Sequence, residues 1–197
     1  MLRYKLLLLI FLFISFDAQA QRSKVRPARS KWSLALGDLN WSEPIKLTQD
    51  GIEDAGTVNY NGLLLGIDGS LRWRRWVFGS GLGLATGKAT AGLYSGDLTF
   101  EDGKNRSWLG AFAQPYASYS IHRMLTLGAG AILLYRNGDW TPADSSLRVS
   151  LKSALQIGPQ VTLRVDVWPQ LSLVQTLASL GNDHTLWSFR IQWNFRR

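Results

Sequence analysis

The sequence predicts an all-β fold, an up-and-down meander of eight antiparallel strands closed into a transmembrane β-barrel. Three observations point to it. Apolar and polar residues alternate with period two through most of the chain, and no stretch keeps the helical i, i+3, i+4, i+7 spacing beyond two turns. The connections alternate between short turns and long polar segments, as a meander with two unlike rims requires. The nine tryptophans fall at or near the ends of the proposed strands and not at their centres.

Composition bounds the answer further. The chain has 197 residues, one domain's worth. Hydrophobic residues make up 46% and charged residues 18%, with a mean hydropathy of -0.05, which excludes both a disordered tail and a helical membrane bundle. With no cysteine there is no disulfide framework, thiolate metal site or cysteine nucleophile, and two histidines cannot build an all-imidazole cage. No cofactor is expected.

The N-terminus reads as an address. Arg3 and Lys5 precede an apolar run from Leu6 to Phe16, and Ala18-Gln19-Ala20 supplies small residues where a signal peptidase cuts. The run is too short for a helix to cross a bilayer, which takes roughly 20 residues. Residues 1–20 are therefore expected to be a cleaved signal peptide, residues 21–30 a basic periplasmic arm, and residues 31–197 the barrel. Cleavage removes Arg3, Lys5 and Asp17 and lowers the net charge from +8 to +7.

The strands can be taken in order. The last is the clearest: Trp187, Phe189, Ile191, Trp193 and Phe195 share one face, while Ser188, Arg190, Gln192 and Asn194 share the other. The same alternation runs from Leu147 to Val167. Weaker patterns cover Lys31–Trp41, Thr57–Arg72, Trp76–Thr90, Arg106–Ser120, Met124–Arg136 and Gln170–Ala178. Short turns fall at Trp73-Arg74-Arg75, Ile121-His122-Arg123 and Trp168-Pro169, and long segments at 42–56, 91–105, 137–146 and 179–183. Pro115 and Pro159 each remove a ladder donor inside a strand, which a bulge could absorb. A turn at Gly158-Pro159 would instead give nine strands and put the termini on opposite sides.

Two aromatic belts follow from this topology. Trp32, Trp73, Trp76 and Trp193 lie at the short-turn rim, and Trp41 and Trp187 at the long-loop rim; indole, apolar with a single N–H, favours the headgroup level of a bilayer. Trp108 and Trp168 have inward parity. The inward face also carries Asp68, Arg148, Arg164, Asp166 and Arg190, which in a barrel too narrow for a wide pore should pair into a plug, with a narrow leak at most. Gly79, Gly81 and Gly83 alternate within a strand, and with no helix following they read as room for bulky lumen neighbours.

The pattern from Lys31 to Phe195 resembles the small bacterial outer-membrane β-barrels of the OmpA and OmpX kind. Its most specific piece is Trp187-x-Phe189-x-Ile191-x-Trp193-x-Phe195, since that family ends on an aromatic strand recognised by the barrel-assembly machinery. Here Arg196 and Arg197 follow. The resemblance implies a monomer in the outer membrane of a Gram-negative bacterium, with that membrane's lipids as its surroundings.

Charge is segregated. The arm and the short-turn rim hold Arg22, Lys24, Arg26, Arg29, Lys31, Arg74, Arg75, Arg123, Arg196 and Arg197, whereas the long segments are mainly acidic, with Glu43, Asp50, Glu53 and Asp54 among them. A basic rim suits anionic phospholipid, cell-wall polymer or lipopolysaccharide, and a secreted chain with segregated charge is not a nucleic-acid binder. Catalytic residues are scarce. His184 beside Asp183, with Ser145-Ser146 beside Asp144, is the one imaginable hydrolytic set. The leading expectation is a non-enzymatic barrel with a structural or surface-interaction role. Its rivals are a soluble periplasmic lipocalin-like barrel holding a small apolar ligand, and a lipid-modifying outer-membrane enzyme.

Overall fold

The computed structural model describes residues 29–95, 107–137, 146, 148–150, 155–180 and 184–195. The signal peptide, most of the arm and Trp140, Asp144, Ser145, Lys152, Asp183, Arg196 and Arg197 lie outside the described residues.

The described chain forms nine strands: β1 Arg29–Gln49, β2 Ile52–Trp73, β3 Trp76–Ser95, β4 Ser107–His122, β5 Leu125–Asn137, β6 Arg148–Ser150, β7 Leu155–Trp168, β8 Leu171–Ser179 and β9 Thr185–Phe195. All pairings are antiparallel, and β9 pairs with β1 while β1 pairs with β2, so eight strands close a ring. The ninth, β6, pairs with β1 at Lys46–Thr48, beyond the point where β9 stops at Trp41↔Leu186. It continues the wall of the ring beside the upper part of β1. Followed through facing cross-strand partners, the ring is staggered: from Asp38 the path runs through Phe189, Gln175, Leu163, Leu127, Tyr119 and Trp76 to Trp73, ten residues from Leu63, the direct partner of Asp38 on β2. Such a stagger tilts the strands by roughly 35–45°.

Segment 42–56, expected as a loop, is a continuous hairpin. Every residue from Arg29 to Gln49 is paired with β2, and the chain reverses at Asp50-Gly51, where φ is 52° and 84°. An Asp-Gly pair with both residues at positive φ is the turn that matches the twist of two strands. The long Leu147–Val167 strand is represented by two pieces with different neighbours, β6 on β1 and β7 on β5 and β8. Gly158-Pro159 is not a turn: Pro159 lies in β7 opposite Ala131. At Pro115 the β4–β5 ladder skips from Ala113↔Leu133 to Tyr116↔Gly130 without a change of register, so neither proline needs a bulge. A register shift does occur between Asp166 and Trp168, and it turns Trp168 outward against its sequence parity, leaving it 63% exposed.

The placement of apolar residues inverts along the barrel. Toward the short turns, the exterior carries Leu34, Leu36, Leu63, Leu65, Ile67, Leu82 and Leu84, all exposed, while Asp68, Arg190, Gln192 and Asn194 are buried inside. Toward the Asp50-Gly51 hairpin the reverse holds on β1, β2 and β3: Ser42, Asn61 and Lys88 face out, and Leu39, Trp41, Ile45, Leu47, Val58 and Tyr60 face in. One apolar cluster fills the inside of this upper part, from Leu47 and Val58 down to Leu39, Leu64, Phe112, Ile132 and Leu186.

Candidate functional site

The barrel interior is two polar layers separated by an apolar one. In the layer toward the short turns, β2 contributes Asp68, whose carboxylate accepts a hydrogen bond from the Tyr116 hydroxyl at 2.8 Å. From β9, Arg190 donates to Gln114 and, at 2.9 Å, to Thr176. Arg164 on β7 is held most completely: it donates to Asp166 at 2.8 Å, Ser172 at 2.9 Å, Asn194 at 2.8 Å and Gln192 at 3.3 Å. Ser172 in turn donates to Asp166 at 2.6 Å. Each of the three guanidinium nitrogens of Arg164 donates to at least one acceptor, which is how a largely buried cation is tolerated.

Glycines on β3 make space for these groups. A Cβ at Gly79 would lie 2.5 Å from the Tyr116 hydroxyl, and one at Gly83 would enter the Phe112 ring. The Gly79-x-Gly81-x-Gly83 alternation thus admits two bulky lumen side chains, as expected from its phase.

Farther toward the Asp50-Gly51 hairpin, enclosed by the upper apolar cluster, lies a second charged group. Glu43 on β1, completely buried, pairs with Arg136 on β5 at 3.2 Å. Trp41 Nε1 donates to Glu43 at 2.9 Å, and Gln156 on β7 donates to the same carboxylate oxygen. Arg136 also donates to the Tyr60 hydroxyl and lies 4.5 Å from that ring's centroid. Tyr60 stacks on Trp41 at 4.7 Å, and Trp108 meets Trp41 edge-on at 4.9 Å. The ion pair therefore sits inside an aromatic wall, where neither charge is solvated and each depends on the other. His184, at the β8–β9 hairpin, is buried beside this cluster and its Nδ1 donates to the Ser42 carbonyl at 2.8 Å.

The structure brings four of the five expected lumen charges into one layer: Asp68, Arg164, Asp166 and Arg190. Arg148 is not among them. It is exposed, on β6 opposite Thr48, because β6 pairs with β1 and parity counted from β7 does not reach it. Among the expected belt residues, Trp32, Trp73, Trp76 and Trp193 are exposed, each at a strand end toward the short turns, and Trp187 is half-buried on the outward face of β9. Trp41 is a correction: it points inward at 3% exposure and is part of the aromatic wall, not of a rim belt. In β9, Trp187, Phe189, Ile191, Trp193 and Phe195 share the outward face.

The upper cluster escaped the sequence reading. The sequence pattern puts Glu43 among the acids of a long segment and Arg136 at a strand end. The signal was present in Leu39-x-Trp41-x-Glu43-x-Ile45-x-Leu47, an unbroken alternation that runs into Asp50-Gly51.

An eight-stranded antiparallel ring with a filled interior and an apolar outer surface is the architecture of the small membrane-spanning β-barrels. One solved structure supports the fold. The chain is similar to the outer membrane protein OprG from Pseudomonas aeruginosa, with a TM-score of 0.53 and 12% identity over 85% of this chain and 97% of that one. Neisserial surface protein A gives a TM-score of 0.47 at 14% identity over 87% and 100% of the two chains, and Ail of Yersinia pestis 0.40 at 10% over 85% and 99%. No family model matches, and no curated protein matches in sequence.

Proposed function

We propose that this chain is an integral outer-membrane β-barrel that is secreted with a cleaved leader at residues 1–20 and acts without catalysis, as a structural or surface-interaction protein. The observation that carries the reading is the inversion of polarity along β1, β2 and β3. Water outside a ring with a packed interior selects apolar-inside, and hydrocarbon outside with a polar interior selects the opposite. Both patterns occur here in one ring, so the level at which they exchange marks the outer edge of the bilayer. Trp32, Trp73, Trp76 and Trp193 mark the periplasmic edge, and the outward face of β9 is the surface offered to the barrel-assembly machinery.

Two features argue against transport and hydrolysis. The apolar layer of Leu39, Leu64, Phe112, Ile132 and Leu186 lies across the interior between the two polar clusters. His184 is buried with its Nδ1 engaged by a backbone carbonyl. The soluble lipocalin-like reading fits only the upper part, since it cannot account for exposed Leu63, Leu65, Ile67 and Leu84 below. Purified protein in planar bilayers should give no steady conductance, and the native protein should fractionate with the outer membrane. A stable porin-sized level, or recovery in the soluble periplasm, would overturn the reading.

A further inference from the structure

We propose that the polar layer toward the short turns binds one small monovalent anion of chloride size, held by Arg190, Ser188 and Gln160. Arg190 is the observation that asks for it. Its guanidinium, on a residue 4% exposed, donates to Gln114 and Thr176, both neutral, and its Nε has no hydrogen-bond partner. Among the described residues the ion pairs inside the ring are Glu43–Arg136 and Arg164–Asp166, and Arg190 is in neither. Asp68, in the same layer, gives its carboxylate to the Tyr116 hydroxyl instead. Arg164 shows how this interior otherwise treats a guanidinium, with a carboxylate in contact and an acceptor for each nitrogen. A buried cation without a contacting counter-charge is unfavourable, and an anion supplies that charge.

Two further buried polar groups lie beside it. The 2.9 Å bond from Arg190 to Thr176 brings the guanidinium to the row where Thr176 faces Ser188 on β9 and Thr162 on β7. Ser188 Oγ is buried there with no partner. One inward step above Thr162, Gln160 is 3% exposed and neither end of its amide has a partner. Its facing residues, Gly130 and Ala178, are small, and Thr176 is its diagonal neighbour on β8, a spacing that long side chains span. The set offers a cationic N–H, a hydroxyl and an amide NH2 as donors, with Gln160 Oε1 its one acceptor-only atom. Water would serve the amide but bring no negative charge to Arg190. Phosphate, with its four oxygens, needs more donors than these groups supply, whereas a halide accepts from all of them, the guanidinium bond being charge-assisted. The charge of the surrounding interior has the matching sign: at inward positions toward the short turns stand Lys31, Arg72, Arg164 and Arg190 against Asp68 and Asp166, an excess of two positive charges. Ser188 faces Leu39 of the apolar layer, so the site is the closed end of a basic interior and not a station on a pore.

The test uses the full barrel in lipid vesicles, unfolded by urea at fixed ionic strength with chloride replaced by gluconate, an anion too large for the site. The wild type should be more stable in chloride, and above the dissociation constant each tenfold rise in chloride should raise the folded-to-unfolded ratio about tenfold. Ser188→Ala and Gln160→Met, which keep the guanidinium, should each weaken that dependence, and Arg190→Met with Asp68→Asn should abolish it. Glu43→Met with Arg136→Met, in the upper cluster, should leave it intact. Crystals grown in bromide should show an anomalous peak beside Arg190 Nε. Equal stability of the wild type in chloride and gluconate would overturn the proposal, whatever the crystals hold. So would bromide crystals with no peak at Arg190, or an unchanged chloride dependence in both Ser188→Ala and Gln160→Met.

Discussion

Among single residues, the buried pair of Glu43 and Arg136 is the most exposed to disruption. Each is the other's only opposite charge among the ion pairs of the described residues, and both are enclosed by Trp41, Tyr60 and Gln156. Glu43→Ala leaves a guanidinium uncompensated in an apolar surround, so unfolding in urea with lipid vesicles should show a loss of about 3–5 kcal/mol. The double change Glu43→Met with Arg136→Met removes both charges at similar volume and should recover most of that loss. A double variant as weak as the single would contradict the picture of a desolvated pair. Parity within β1 separates Trp41 from Trp32: the odd positions point inward from Ser33 to Leu47 and the even ones outward. That much was legible in the sequence. A tryptophan near a strand end does not for that reason belong to a belt, because its indole N–H can equally be satisfied by a buried carboxylate.

At the scale of elements, the β1–β2 hairpin carries the lesson. Its Asp-Gly turn and its period were visible, yet segment 42–56 looked like a loop because its outward residues Ser42, Lys46 and Thr48 are polar and Pro44 interrupts them. Above the bilayer a strand keeps its period and reverses which face is polar, so a search for one fixed pattern loses it. Gly51 holds the turn at positive φ, and Gly51→Val should strain the left-handed conformation by about 1–2 kcal/mol. Limited proteolysis should then cut the hairpin tip while the ring below stays intact. Arg148 was misplaced for a related reason: side-chain parity is a property of one ladder, and β6 has joined another. The bulge at Asp166–Trp168 likewise altered the facing of Trp168, and no feature of the sequence announced it.

At the scale of the whole molecule, eight strands, their direction and the closure were readable because long alternation with short turns admits few topologies. The inversion of polarity was not, because it depends on which strand residues rise above the lipid, and that follows from the stagger of the closed ring. It makes a paired prediction. Leu65→Arg, on the outward face within the apolar band, should destabilise by about 2–4 kcal/mol, and Asn61→Arg, two outward positions higher on the same strand, by about 0–1 kcal/mol. Equal costs in vesicle-based unfolding would mean that no bilayer edge lies between them.

The most direct measurement is the mobility of the membrane-fraction protein in SDS gels with and without boiling. A closed barrel that faces lipid with Leu63, Leu65 and Ile67 stays folded in detergent until heated, and should migrate differently in the two lanes. Identical mobility, with the protein recovered in the soluble periplasmic fraction, would contradict a lipid-facing exterior and with it the assignment of the apolar band to the bilayer.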